Sequence, residues 1–163
     1  MAVKGLQRHK TVAEVLTERK LLDEEQIKKV GVEAAKTGKS FQQAAIDGGV
    51  IGKAQLLKAL SEEWKVKAVD LLQMDVDAEV AKIIPEAVAR RHLAIPFAKE
   101  ESVLFVAMAD PRDFFASEDI QLRTGLEIQP YLALPTDIGG ALDAAYGRGE
   151  GEALNRLMTD VAK

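Results

Sequence analysis

One helical pattern is written twice between Lys10 and Trp64, and no other feature of the chain limits its folding as strongly. The first copy reads Thr11-Val12-Ala13-Glu14-Val15-Leu16, then Leu21-Leu22-Asp23, then Gln26-Ile27. The second reads Ser40-Phe41-Gln42-Gln43-Ala44-Ala45, then Val50-Ile51-Gly52, then Gln55-Leu56. A constant offset of 29 superposes Val12 on Phe41, Leu21 on Val50, Leu22 on Ile51, Gln26 on Gln55 and Ile27 on Leu56. Self-similarity at a fixed period marks stacked copies of one supersecondary unit. Two copies are too few for a solenoid, so the pattern predicts a pair of helical hairpins packed on each other.

Local signals divide each hairpin. Val12, Val15 and Leu16 share one face at i, i+3, i+4 spacing, which predicts a short helix from Thr11 to Lys20. Asp23 with Gln26 forms a capping-box signature for a second helix that runs to about Thr37, buries Ile27, Val30 and Ala34, and stops at Gly38. Ser40 caps a third helix through Asp47, which Gly48-Gly49 ends. Gly52-Lys53 opens a fourth helix through Trp64, with Leu56, Leu57, Leu60 and Trp64 as its apolar stripe.

The pattern then changes. Val66 to Leu72 reads as an edge strand, and Asp75 to Ile84 as a helix ended by Pro85, which suits the first position of one further turn through Arg91. From His92 the period drops toward two: Leu93 to Phe97 and Ser102 to Met108 read as strands joined through Lys99-Glu100-Glu101. Asp110-Pro111 ends the second strand, because proline cannot donate to a ladder. Phe114 to Arg123 is a helix stopped by Thr124-Gly125. Glu127 to Leu134 is a third strand, where Pro130 argues for an edge or a bulge, and Pro135-Thr136-Asp137 starts a last helix through Tyr146. Gly147 to Gly151 reads as a flexible exit, and Glu152 to Val161 as an amphipathic helix or the stub of a linker. The expected fold class is α+β: an N-terminal helical subdomain of two repeated hairpins (residues 1–68), a small three- to four-stranded sheet with flanking helices (69–147), and a linker or terminal helix (148–163).

Composition narrows function mainly by exclusion. With 22 basic against 26 acidic side chains the formal net charge is −4, which offers nucleic acid no general attraction. No apolar run is long enough to insert in a membrane, and the first residues lack the apolar core of a signal peptide, so a cytoplasmic location is expected. The absence of cysteine removes disulfides, thiolate metal sites and cysteine nucleophiles. No Gly-x-x-x-x-Gly-Lys-Ser/Thr phosphate loop and no Gly-x-Ser-x-Gly elbow occurs. His9 and His92 read as surface or satisfied histidines rather than metal ligands. Asp23-Glu24-Glu25 and Glu100-Glu101 read as solvated charge at a helix start and a turn. The expectation is a non-catalytic chain without a metal.

The order of short motifs carries a resemblance. Asp70-Leu71, Ile84-Pro85-Glu86-Ala87-Val88-Ala89-Arg90-Arg91-His92, Ile95-Pro96-Phe97, Val106-Ala107-Met108-Ala109-Asp110-Pro111, Thr124-Gly125-Leu126 and Tyr146-Gly147 follow the doubled helical unit. Together, from Thr11 to Gly147, they resemble the N-terminal domain of type II secretion ATPases and type IV pilus assembly ATPases. The resemblance implies a regulatory or docking domain that recruits a hexameric parent ATPase to the inner membrane. It would do so through the cytoplasmic domain of a secretion or pilus platform protein, with no membrane insertion of its own. Arg90-Arg91 and Phe114-Phe115 are the surface features to test for such docking. A structural spacer in the hexamer, decoupled by Gly147-Arg148-Gly149-Glu150-Gly151, is an alternative.

In a subset of that family the doubled unit binds cyclic di-GMP through two copies of Arg-x-Gly-x-x-Leu-Val, Gly, Leu, Leu and Gln. An arginine fork suits a phosphate or guanine edge, glycine admits close backbone approach, and leucines bed the purines. Here the second copy keeps Ile46, Gly49, Leu56 and Leu60, but has Ser40, Gln42, Ala45 and Glu63 at the arginine, first glycine, first leucine and glutamine places. The first copy keeps Leu16, has Ile27 for a leucine, and has Thr11, Ala13, Thr17, Lys20, Gly31 and Ala34 elsewhere. The ligand-binding alternative therefore rests on Leu16, Ile27, Ser40, Ile46, Gly49, Leu56 and Leu60. Arg8 or Lys39 could supply the missing charge.

Overall fold

The computed structural model describes residues 11–147, and Arg8, His9 and the linker or terminal helix expected over 148–163 lie outside them. The chain divides into two compact units between Lys65 and Val66. The first is all helical: α1 (Val12–Glu18), α2 (Glu24–Thr37), α3 (Phe41–Asp47) and α4 (Lys53–Trp64). α1 packs on α4 and α2 on α3.

The sequence repeat is a structural repeat. Thr11 caps α1 and Ser40 caps α3, each side chain accepting from the backbone N–H three residues on, Glu14 and Gln43. Asp23 caps α2 in a full capping box with Gln26, at 2.8 and 3.0 Å. The chain leaves α1 by the bond Leu21 N–H to Leu16 O (2.9 Å) and leaves α3 by the equivalent Val50 N–H to Ala45 O (3.2 Å). Both exits pass through a left-handed residue, Lys20 (φ 59°) and Gly49 (φ 73°). Equivalent positions are buried together: Val15 with Ala44, Leu16 with Ala45, Leu22 with Ile51, Val30 with Ala59. The symmetry breaks at the last cap, where Gly52 stands in Asp23's place and offers no side chain.

The second unit carries a three-stranded sheet in the order β1 (Ala94–Glu100), β2 (Val103–Met108), β3 (Glu127–Leu132). β1 and β2 form an antiparallel hairpin, while β3 runs parallel to β2 after the crossover helix α7 (Phe114–Thr124). Pro130 falls on the outer strand β3, where a missing ladder donor is tolerated. Helices α5 (Ala78–Ala81), α6 (Glu86–His92), α7 and α8 (Pro135–Tyr146) contribute with the sheet to one core. Alternate residues Leu104, Val106 and Met108 of β2 are fully buried in it, along with Ile84, Ile95, Ile120, Ile138 and Leu142. On the β2 face that alternates with these residues, Phe97, Phe105 and Tyr131 pack edge-to-face or tilted, with centroids 5.1 to 6.4 Å apart.

Three sequence expectations change here. The segment from Val66 to Leu72 is not a strand: a single parallel bridge pairs Ala68 with Leu132, and Leu71–Gln73 turns into a 3-10 helix begun by Asp70. The helix expected from Asp75 to Ile84 shrinks to Ala78–Ala81. Asp77 caps its start, and Ile83 N–H bonds to Val80 O as the chain unwinds ahead of Pro85, which disfavours helical backbone in the residue before it. Pro85 itself is the N-cap of α6, one place before the first helical position.

The repeat generates a paired prediction. Gly49→Ala forces a Cβ onto left-handed backbone with no steric clash elsewhere, and should destabilise the helical unit by about 1–2 kcal/mol. Gly52→Asp recreates the capping box with Gln55 and should stabilise it by a few tenths of a kcal/mol. Chemical denaturation followed by circular dichroism reads both signs.

Candidate functional site

Two surfaces were legible as candidate sites. The first is the helical repeat. Leu16, Leu56 and Leu60 are fully buried, Ile27 and Ile46 half-buried, Ser40 is occupied in capping α3, and Gly49 is an exposed turn residue. Three of the seven positions therefore form the unit's interior and the other four lie nearer its surface.

Thr11, Ser40 and Glu63, three of the polar departures from the ligand motif, have internal partners. Thr11, at an arginine place, caps α1. Glu63, at a glutamine place, lies 3.4 Å from Arg19 Nε, and its neighbour Glu62 lies 2.9 Å from Arg19 Nη1. Lys39 Nζ stands 2.6 Å from Asp47 Oδ2, and Gln43 Nε2 donates to the other Asp47 oxygen at 2.9 Å. The hydrogen bond from Lys39, then that from Gln43, holds the Asp47 carboxyl below the ordinary range. Gln43 Oε1 is buried with no hydrogen-bond partner among the described residues.

The second surface lies on the α+β unit. Asp113 caps α7 by accepting from Ala116 N–H, and Ala116 and Ile120 turn into the core. The opposite side of the helix carries Phe114, Phe115 and Leu122, which are 71%, 79% and 82% exposed. Glu118 lies between them in sequence and is also exposed. Asp119 sits at the margin of that stripe. His92 Nε2 lies 2.7 Å from its Oδ2, and Arg123 Nε donates to its Oδ1 at 3.1 Å. The contact with His92, then that with Arg123, lowers the Asp119 carboxyl pKa. His92 thus ties α6 to α7.

The basic pair resolves unequally. Arg90 Nε donates to Glu86 (2.8 Å), and its Nη2 reaches Asp143 (3.1 Å) and the Gly147 carbonyl (3.3 Å), so it clamps α6 to α8. Those carboxylates raise the Arg90 pKa, Glu86 foremost. Arg91 is exposed. Beside Arg90, the Tyr146 hydroxyl donates to the carbonyls of Ile84 and Ala81, fastening the end of α8 to the turn before α6. Burial, then the Glu86 charge, raises its pKa. A groove of about 380 Å³ runs between the small residues Gly140, Ala141 and Ala144 of α8 and Leu71, Leu72 and Met74.

Sequence reasoning singled out Phe114-Phe115 but missed Leu122, which the seven-residue step from Phe115 places on the same side. It also missed the pairing of His92 with Asp119, which no local spacing signals.

A pH prediction follows from Asp119. Its folded pKa is depressed, so its contribution is present above the unfolded carboxylate range and is lost as pH falls below about 4. Asp119→Asn should therefore show a smaller loss of stability than the parent chain between mildly acidic and strongly acidic pH. Urea midpoints measured across that interval check this.

Comparison with known proteins gives the context. The MshEN domain family matches residues 64–152. The type IV pilus assembly ATPase PilB of Myxococcus xanthus (strain DK1622) is 31% identical over 150 residues, covering 92% of this chain and 26% of that protein. PilB of Pseudomonas aeruginosa (strain PAO1) is 25% identical over 131 residues, 80% of this chain and 23% of that protein. The chain thus spans about a quarter of the length of these curated relatives. A solved structure of MshE with cdg superposes with a TM-score of 0.61 at 25% identity, covering 84% of this chain and 99% of that one. The N-terminal domain of XpsE shares the fold, with a TM-score of 0.53 at 19% identity over 81% of this chain and 91% of that one. No helix among the described residues is long and apolar enough to cross a membrane. The chain belongs to the MshEN domain family and is an N-terminal domain of the type II secretion and type IV pilus ATPase class.

Proposed function

We propose that this domain docks its parent ATPase onto the cytoplasmic domain of an inner-membrane secretion or pilus platform protein. The observation that carries the reading is the outward face of α7, where three large apolar side chains stand exposed on a helix that is otherwise anchored in the core. Clustered apolar side chains of this kind on a folded surface mark an interaction site. They favour docking over a purely structural spacer within a hexameric parent, which would need no such surface. The parent ATPase would then lie at the inner membrane through its partner.

The test is a pull-down and calorimetric titration with the cytoplasmic segment of the platform protein encoded alongside the parent. Phe115→Asp combined with Leu122→Asp should weaken binding by about tenfold or more, as loss of central apolar anchors does. The circular dichroism spectrum should stay unchanged, because neither side chain is part of the core. Unaltered affinity in the double variant would move docking off this face, and no binding by the parent chain would end the docking reading.

The likeness to the MshE structure that holds cdg motivates a second reading, in which the helical repeat binds cyclic di-GMP. Lys39, an exposed cation beside the Ser40 cap, is the residue to probe, since substitutions at Leu56 or Leu60 would open the core of the unit. Saturable heat on titration with cyclic di-GMP, absent with GTP and reduced at least about tenfold by Lys39→Ala, would support it. Absence of heat at high ligand concentration would retire it.

A further inference from the structure

We infer that the outward face of α7 receives an amphipathic helix of a partner protein, one with leucine-class side chains on one side and a lysine or arginine among them that meets Glu118. The inference rests on the docking reading and adds what docks. The observation is an arrangement of four side chains. Phe114, Glu118 and Leu122 follow one another at i, i+4 and i+8, and Phe115 lies beside Leu122, one i+7 step before it. All four are exposed, and the helix behind them is fixed through Ala116 and Ile120, so the stripe is presented on a rigid support.

The shape selects a helix. Side chains four apart form a ridge along the helix, and ridges of this kind seat in the grooves of a facing helix. An added strand needs an open row of backbone donors and acceptors, and the α7 backbone has its own groups bonded internally. From Phe114 to Leu122 the stripe is about 12 Å long, so two to three turns of a partner would cover it.

Charge selects the partner's composition. Asp119 is satisfied by His92 and Arg123. Glu118 has no ion pair among the described residues and sits at the middle of the apolar stripe. An all-apolar partner would bury that carboxylate without compensation, which is strongly unfavourable. A cation placed opposite removes the penalty and fixes the register. The same charge argues against a second copy of this chain. A twofold axis through the middle of the stripe places the residue there opposite its own copy. Because Glu118 is midway between Phe114 and Leu122, antiparallel pairing of two α7 helices would set carboxylate against carboxylate. The chain's net charge of −4 adds to that repulsion.

The experiment uses the full chain, labelled for amide NMR, and two synthetic helical peptides of about four turns. Both carry the same leucine face; one has lysine at its centre and the other glutamate. The lysine peptide should perturb the amides of residues 114–122 and bind at least about tenfold more tightly than the glutamate peptide. Glu118→Lys should reverse that preference. Equal affinities, no binding by either peptide, or perturbations centred away from α7 would overturn the inference. So would concentration-dependent dimerisation in sedimentation that Leu122→Asp abolishes, since the face would then belong to a second copy. The docking reading fails separately, when the platform segment does not bind but the lysine peptide does.

Discussion

The fold depends on one-sided burial by short elements. α1 and α3 are seven residues each, too short to persist as isolated helices in water, because nucleation is costly and few hydrogen bonds follow it. They exist because Val15 and Leu16, or Ala44 and Ala45, enter a common interior, and because Thr11 and Ser40 satisfy the first free backbone donors. Each hairpin then reverses through a left-handed residue at the same place. Glycine adopts that conformation freely in the second copy, while Lys20 holds it against a side-chain penalty in the first. The shared exit bonds to Leu16 and Ala45 show that geometry, more than residue identity, is what the two copies have in common.

In the second unit the same rule organises the sheet and its helices around β2, and α7 is the element that departs from it. Ala116 and Ile120 meet the requirement to bury one face. Phe114, Phe115 and Leu122 add a second apolar face that the chain's own fold leaves in solvent. Folding does not need those side chains exposed, and their hydration is unfavourable. The His92–Asp119 contact and the Arg123 pair meanwhile hold the helix in one orientation from its margin, so the exposed stripe is presented without freedom to turn inward.

Much of this was readable from residues alone, for identifiable reasons. Helix starts at Asp23, Ser40 and Lys53 are legible because caps and glycines are local signals whose outcome does not depend on distant packing, and the start at Thr11 is legible from the spacing of Val12, Val15 and Leu16. Strands β1 and β2 were placed because alternation survives when one face is buried. The strand expected from Val66 to Leu72 does not form because its β-branched residues satisfy burial beside the sheet with one bridge to Leu132, a tertiary outcome that composition does not encode. The helix before Pro85 was read too long because apolar periodicity ignores backbone restriction ahead of proline. At the candidate site, Phe114-Phe115 was visible as a pair, but its direction was not. A capped helix start can face either way, and only the burial of Ala116 and Ile120 on the far side decides it.

The two functional readings differ in what they ask of polar side chains. A cyclic dinucleotide needs cations and donors left available to a dianion, whereas in the repeat Thr11 and Ser40 are engaged in caps and Arg19 and Lys39 face carboxylates. A ligand that recruits Arg19 or Lys39 would have to break such a pair, and each broken pair subtracts from the affinity gained. Docking a helix on α7 asks for no such exchange: Asp119 keeps His92 and Arg123, the apolar side chains leave water, and the one carboxylate in the way gains a partner. By that comparison the proposed docking on α7 leaves the helix's internal contacts intact, whereas a dinucleotide drawn to Arg19 or Lys39 would displace theirs.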